Sequence, residues 1–228
     1  SDVCSSDLFI GCAFLVTILI TSVFIASIQI GSTSMEPTLS LGDRLLTTPL
    51  LFGAEIPFTS ARFGRIREPD RGEIVVCSPP FYETTILQRI ADPFIRFFTL
   101  RRVRGGGAED WEDSMFVKRV VGIPGDTIRI ENFIVYIKPP ETDKFINERV
   151  LSNTQYSITL TPLPKNWEPS FPFSGTSAPI TLAEGEYFVI GDNRSQSHDS
   201  RHFGVISIKQ IRQKVLFRYS PLRKVGGT

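Results

Sequence analysis

Hydrophobic and polar positions divide the chain sharply. From Leu8 to Ile30 there is no charged residue. As a helix rising about 1.5 Å per residue, that run would span about 34 Å, enough to cross a bilayer. It is longer than the apolar core of a typical secretory signal, so it reads as a transmembrane anchor rather than an uncleaved or atypical leader. Beyond it the pattern changes to short apolar or alternating runs broken by Gly, Pro and Asp. Leu45 to Thr48, Ile74 to Cys77, Phe116 to Val121 and Thr127 to Ile130 are predicted strands. So are Phe133 to Ile137, Tyr156 to Thr161, Glu186 to Ile190 and Val215 to Tyr219. Such punctuation predicts a mainly β fold of antiparallel sheets. Pro162 to Pro179 reads as a long surface loop.

One stretch departs from this. Thr84 to Arg104 spaces Ile86, Leu87, Ile90, Phe94, Phe97 and Phe98 at roughly helical intervals, with five arginines interleaved and Pro93 inside. It reads as an insertion packing on the β core, or as an amphipathic element on anionic lipid. Gly105 to Gly107 and the acidic Glu109 to Asp113 then read as a mobile connection.

Composition adds little. The 228 residues are 41% hydrophobic with a formal net charge of +1, which gives no global signal for nucleic acid. Cys4, Cys12 and Cys77 are odd in number and unpatterned, so neither a disulfide framework nor a zinc site follows. Residues 1–7 carry no Lys or Arg, and flanking charge does not orient the anchor.

Three polar stretches carry candidate chemistry. In Gly31 to Thr38, Pro37 bars a helix and Ser34 falls on an extended or exposed segment close to the end of the apolar run. A serine there is a nucleophile only if something removes its proton. Lys118 stands in the apolar strand Phe116 to Val121; burial would lower its pKa and let a neutral amine take that proton. Read alone, it better suits an edge-strand charge facing water. Gly191 to Gly204 is a dense polar loop after a strand, a common place for supporting groups and also for an ordinary solvated turn. His198 and His202 allow a Ser-His-Asp hydrolase. With Asp199 they have metal-ligand spacing, but on a poor helix, and no metal is expected.

Together and in this order, the stretches resemble the type I signal peptidases, or leader peptidases. Ser34-Met35-Glu36-Pro37-Thr38, Gly42-Asp43, Arg71 to Val76, Lys118 to Asp126, and Gly191-Asp192-Asn193 through Ser197, Asp199, Ser200 and Arg201 carry the similarity. The resemblance implies a membrane-bound serine endopeptidase that removes signal peptides from preproteins, cutting after small residues in an Ala-x-Ala pattern. Ser34 would be the nucleophile and Lys118 the general base. The Ser34 N–H and Ser32 hydroxyl would form the oxyanion hole. Ser197 would hydrogen-bond and orient Lys118, while Asp199, Arg201, Arg119 and Asp192 would brace the site.

The resemblance also implies an antiparallel β catalytic core with an inserted second β region. On this sequence residues 1–30 hold the anchor, at about 8–30. Residues 31–228 form the extracytoplasmic catalytic domain, with an insertion at about 78–114 and the second β region at about 131–185. No cofactor is implied. The expected partners are preprotein signal peptides and the lipid bilayer, with no nucleic acid. The expected place is the cytoplasmic (inner) membrane, single-pass, near the secretion translocon. A related Ser-Lys peptidase with a specialised substrate and a non-catalytic, membrane-tethered β-domain are the alternatives. The second requires Ser34 and Lys118 to point apart. A self-cleaving repressor of the LexA type would carry a DNA-binding domain in place of the apolar run.

Overall fold

The structure is a computed structural model. It describes residues 25–55, 62–78, 115–160, 176–221 and 226–227, together with residues 9, 11–14, 16, 17, 20 and 24 of the apolar run. The insertion expected at 78–114 falls outside the described residues apart from Ser78, as does most of the expected loop after Pro162.

The first correction concerns the apolar run. Residues 11–14 are helical, but Ala26–Gln29 forms strand β1. Among the described residues no helix is long and apolar enough to cross a membrane. An anchor helix continuing to Ile30 is therefore not what forms. The reason is local: Ser27 and Gln29 alternate with Ile28 and Ile30, a period of two. Ile30 is buried in an apolar cluster against which Ile28 packs, and Ser27 Oγ lies 2.6 Å from the Tyr219 hydroxyl. Absence of charge made this stretch look continuous with the residues before it.

The remaining strands are β2 (Arg44–Thr48), β3 (Ala54–Glu55), β4 (Arg62–Phe63), β5 (Ile74–Cys77), β6 (Phe116–Gly122), β7 (Thr127–Glu131) and β8 (Ile134–Lys138). They continue with β9 (Ile146–Asn147), β10 (Ser177–Thr181), β11 (Glu186–Ile190), β12 (Ile206–Ser207), β13 (Ile211–Ser220) and β14 (Gly226–Gly227). Beyond the helical residues of the apolar run, two one-turn helices follow, α1 (Glu148–Leu151) and α2 (Ser200–Phe203), with a 3-10 turn at Ile208–Gln210. The main sheet is antiparallel, in the order β1-β2-β13-β5-β6-β11-β12, with β14 on β13. A second sheet has the order β10-β7-β8-β9. It begins at Thr127, and its β10 overlaps the end of the stretch read as loop, from Ser177 to Pro179. Tyr156 to Thr161 makes only one isolated bridge, Thr159 with Asn193, rather than a strand.

Strand β6 is central because its alternate residues serve different cores. Val120 joins Val75, Cys77, Tyr187 and Val189 in one cluster, against which Phe116 packs. Val121 joins Phe188 and Ile190 of the main sheet with Ile128, Ile130, Val135 and Ile137 of the second, so this cluster fastens one sheet to the other. Val117 packs against a third cluster of Ile30, Met35, Leu39, Leu45, Ile74, Val76 and Val215, beneath the turn that carries Ser34. Burying one such side chain fully is worth about 1.5–3 kcal/mol, so Met35 and Leu39 act as apolar anchors for that turn.

Candidate active site

The Ser34 turn is closed by backbone bonds. Glu36 N donates to Thr33 O at 3.1 Å, and Leu39 N to Met35 O at 2.9 Å. At its base Ile30 N donates to Asp43 O and Gly42 N to Ile30 O, with Gly42 at φ 85° as the turn demands. Asn193 N, beyond the end of β11, donates to Ser34 O at 3.0 Å. The turn is thus fixed to the last polar loop.

Lys118 comes from the opposite side. In the register of β5 with β6 it faces Val75, two positions from the Cys77–Phe116 pair. It is 3% exposed, and its Nζ lies 2.8 Å from Ser34 Oγ, itself in a residue 6% exposed. Ser32 Oγ lies 3.1 Å from Ser34 Oγ. Burial lowers the Lys118 pKa from the ordinary 10.5 to about 8; Arg201 adds to the fall, and Asp199 opposes it. An amine so placed is a proton acceptor within hydrogen-bond reach of a serine hydroxyl.

Asp199, fully buried, takes bonds from Gly191 N at 2.9 Å and from Arg201 Nε and Nη2 at 2.8 and 2.9 Å. Burial alone would raise its pKa; the bonds from Arg201 and Gly191 outweigh that and hold the carboxyl below its ordinary value. Arg119 and Asp192 are both fully buried and pair bidentately, at 2.9 and 2.7 Å. Asp192 also accepts from Thr38 Oγ1 at 2.5 Å, and Arg119 donates to Gly72 O at 2.6 Å. The four expected bracing residues therefore form two ion pairs.

Ser197 differs from expectation. Its Oγ is buried and completes no hydrogen bond of ordinary geometry, to Lys118 or any other group, although it is near enough to Asp199 to favour the ionised carboxyl. Ser197 is instead pressed against Gly191. A Cβ at Gly191 would come within 2.2 Å of Ser197 Oγ and 2.4 Å of Ser34 O. Only glycine permits this approach.

The histidines do other work. Asp199 and His202 cap α2 reciprocally, with Asp199 N donating to His202 Nδ1 at 3.4 Å, and His198 stacks on His202 at 4.9 Å. Among the described residues no group of three or more His, Cys, Asp or Glu could hold a metal ion.

Residues 5–220 match the family described as signal peptidase, peptidase S26. The chain belongs to that family. Within the signal peptidases, a probable signal peptidase I-2 from Synechocystis is 27% identical over 86% of this chain and 64% of its own length. Signal peptidase I from Streptococcus pneumoniae R6 is 34% identical over 48% of this chain and 63% of its own. The chain thus spans less than two thirds of either relative. A crystal structure of a signal peptidase I from Enterococcus faecalis V583 aligns at TM-score 0.33 and 23% identity, over 66% of this chain and 97% of that one.

Two features of this signal-peptidase chain escaped the motif reading. Arg194, in the last polar loop, pairs with Glu148 of α1 at 2.6 Å, both essentially buried, and donates to Phe133 O at 3.1 Å. Burial would lower the Arg194 pKa, but Glu148 outweighs it and raises it. Arg218 of β13 reaches the Ser34 turn. A charge inside a polar loop is an ordinary solvated group until a partner is known, and both partners are remote in sequence.

Proposed function

We propose that this protein is a membrane-tethered serine endopeptidase that removes N-terminal signal peptides from exported preproteins, with Ser34 as nucleophile and Lys118 as general base. The observation that carries this reading is the buried 2.8 Å contact between Lys118 Nζ and Ser34 Oγ. Neutral Lys118 takes the Ser34 proton as Oγ attacks the scissile carbonyl. The Ser34 N–H and Ser32 hydroxyl receive the developing oxyanion. The Lys118 ammonium then protonates the leaving amine of the mature chain, leaving the signal peptide as an ester on Ser34. Neutral Lys118 next takes a proton from water, whose oxygen attacks that ester; the proton returns to Ser34 Oγ as the acid leaves. Asp199 with Arg201, and Asp192 with Arg119, hold the surrounding backbone, and Ser197 packs the loop against Ser34.

The partners are preprotein signal peptides and the bilayer, near the translocon of the cytoplasmic (inner) membrane. The catalytic domain faces the extracytoplasmic side, tethered through the apolar run. That location follows from the chemistry: leader peptides are cut where they leave a membrane, and Ser34 closely follows such a run.

The test is a preprotein cleavage assay. Ser34→Ala and Lys118→Ala should each abolish cleavage, while His198→Ala and His202→Ala keep most of it. Substantial cleavage by Lys118→Ala would end the Ser-Lys mechanism.

A further inference from the structure

The Ser34 turn is held from two sides, and on one of them the anchoring residue, Arg218, lies outside the motifs discussed so far. On the other side the Thr38 hydroxyl meets Asp192 and, at 3.5 Å, Arg119. On the first side Arg218 Nη1 donates to Thr38 O and to Asp43 Oδ2, both at 2.9 Å. Asp43 Oδ2 also accepts from Ser40 N at 2.9 Å. The Asp43 side chain is 3% exposed and that of Arg218 18%, so the pair is largely screened from water. Residues 38 to 43 are thereby closed on themselves and fastened to β13, a strand 180 residues away in sequence from Thr38.

We infer that Arg218 and Asp43 are positioning residues that hold the Ser34 turn in register with Lys118; the inference rests on the reading of Ser34 and Lys118 above. Thr38 is four residues from Ser34, within the same hydrogen-bonded turn. Hydroxyl and carbonyl of one residue are pinned to different strands, the first through Asp192 after β11 and the second to β13. Releasing the carbonyl side leaves the turn free to pivot about the other. The chemistry requires Oγ to stay within hydrogen-bond reach of Nζ, and small misplacements of reacting groups cost rate rather than binding.

The experiment uses the full chain in detergent, an internally quenched signal-peptide substrate, and titration of active serines with an acylating probe. We compare wild type with Arg218→Gln, Arg218→Lys and Asp43→Asn, with Ser34→Ala and Lys118→Ala as controls. The expected result is a fall in kcat of about tenfold for Arg218→Gln and Asp43→Asn. KM should stay within about twofold, Arg218→Lys should recover part of the loss, and the pH–rate midpoint should not move. A merely structural role predicts instead a lower melting temperature with wild-type kcat per active serine; that result overturns the inference. If Arg218→Gln does not fold, the nearly isosteric Asp43→Asn decides by the same criterion. Activity surviving in Ser34→Ala or Lys118→Ala sinks the dyad itself. Silent controls together with wild-type kcat in the clamp variants sink only the clamp.

Discussion

The pKa of Lys118 links the proposed mechanism to the stability of the fold. The perturbation is pH, applied to the wild type and to Lys118→Met. With a folded-state pKa of about 8, the amine is neutral in about one molecule in ten at pH 7, half at pH 8 and nine-tenths at pH 9. The kcat/KM of the wild type should therefore rise about fivefold from pH 7 to 8 and less than twofold from 8 to 9. The stability sign follows from the same fall. The unfolded chain keeps the ordinary 10.5, so between about 8 and 10.5 it binds more protons than the folded chain, and stability rises with pH across that window. Below pH 8 the buried ammonium carries its full cost of about 3 kcal/mol. Urea unfolding at pH 7 and pH 10 should show the wild type gaining on Lys118→Met by about 2.5 kcal/mol, because the other titrating groups cancel in the difference. A rate limb near ~6.5 would point to a histidine. A stability difference that does not change with pH would show that Lys118 is not buried as a base, and the proposed chemistry would lose its foundation.

Other variants test the surroundings. Asp192→Asn leaves Arg119 buried without its counter-charge and should cost about 3–5 kcal/mol, read as a melting temperature about 10 °C lower. Glu148→Gln should destabilise by about 3 kcal/mol in urea, and the double variant Glu148→Met, Arg194→Met should recover most of it, since removing both charges is cheaper than stranding one. Gly191→Ala must displace Ser197 and the Ser34 carbonyl, so kcat should fall about a hundredfold; a value within threefold of wild type would mean that the loop yields.

Much of the site was legible because its signals are local. Pro37, the Gly42-Asp43 turn and the lone lysine in Phe116 to Val121 each express a constraint that acts within a few residues. Period-two alternation likewise located β7, and short apolar runs next to turn signals located β5, β6 and β11. What escaped depended on distance or context. In β1 the same alternation was present but sat at the end of an apolar run, where Ile28 and Ile30 read as more of the same. Arg194 and Glu148 look like surface charges until α1 brings them together. The contact of Arg218 with Thr38 depends on the path of β13 past the turn. Ser197 shows a further limit of pattern reading: the sequence places it in the polar loop, but what its hydroxyl touches depends on how it packs against Gly191.

The arrangement of buried charge explains why one cation rather than another suits the base role. Arg119, Arg194 and Arg201 each lie against their own carboxylate, Asp192, Glu148 and Asp199. Lys118 adjoins Arg119 in β6, yet its Nζ meets the Ser34 hydroxyl, and its neighbours Val75 and Phe116 are apolar. Asp199 is near enough to raise its pKa, but that carboxylate is already occupied by Arg201 and Gly191 N, and burial prevails. An arginine at 118 would stay charged and could accept no proton. A lysine with its own carboxylate would also stay charged at neutral pH. Lys118→Arg should consequently be as inactive as Lys118→Ala even where it folds. Placing a carboxylate beside the amine, as in Val75→Asp, should move the rate limb to higher pH rather than abolish it. If Val75→Asp folds with its limb unmoved, the desolvation argument for the base fails.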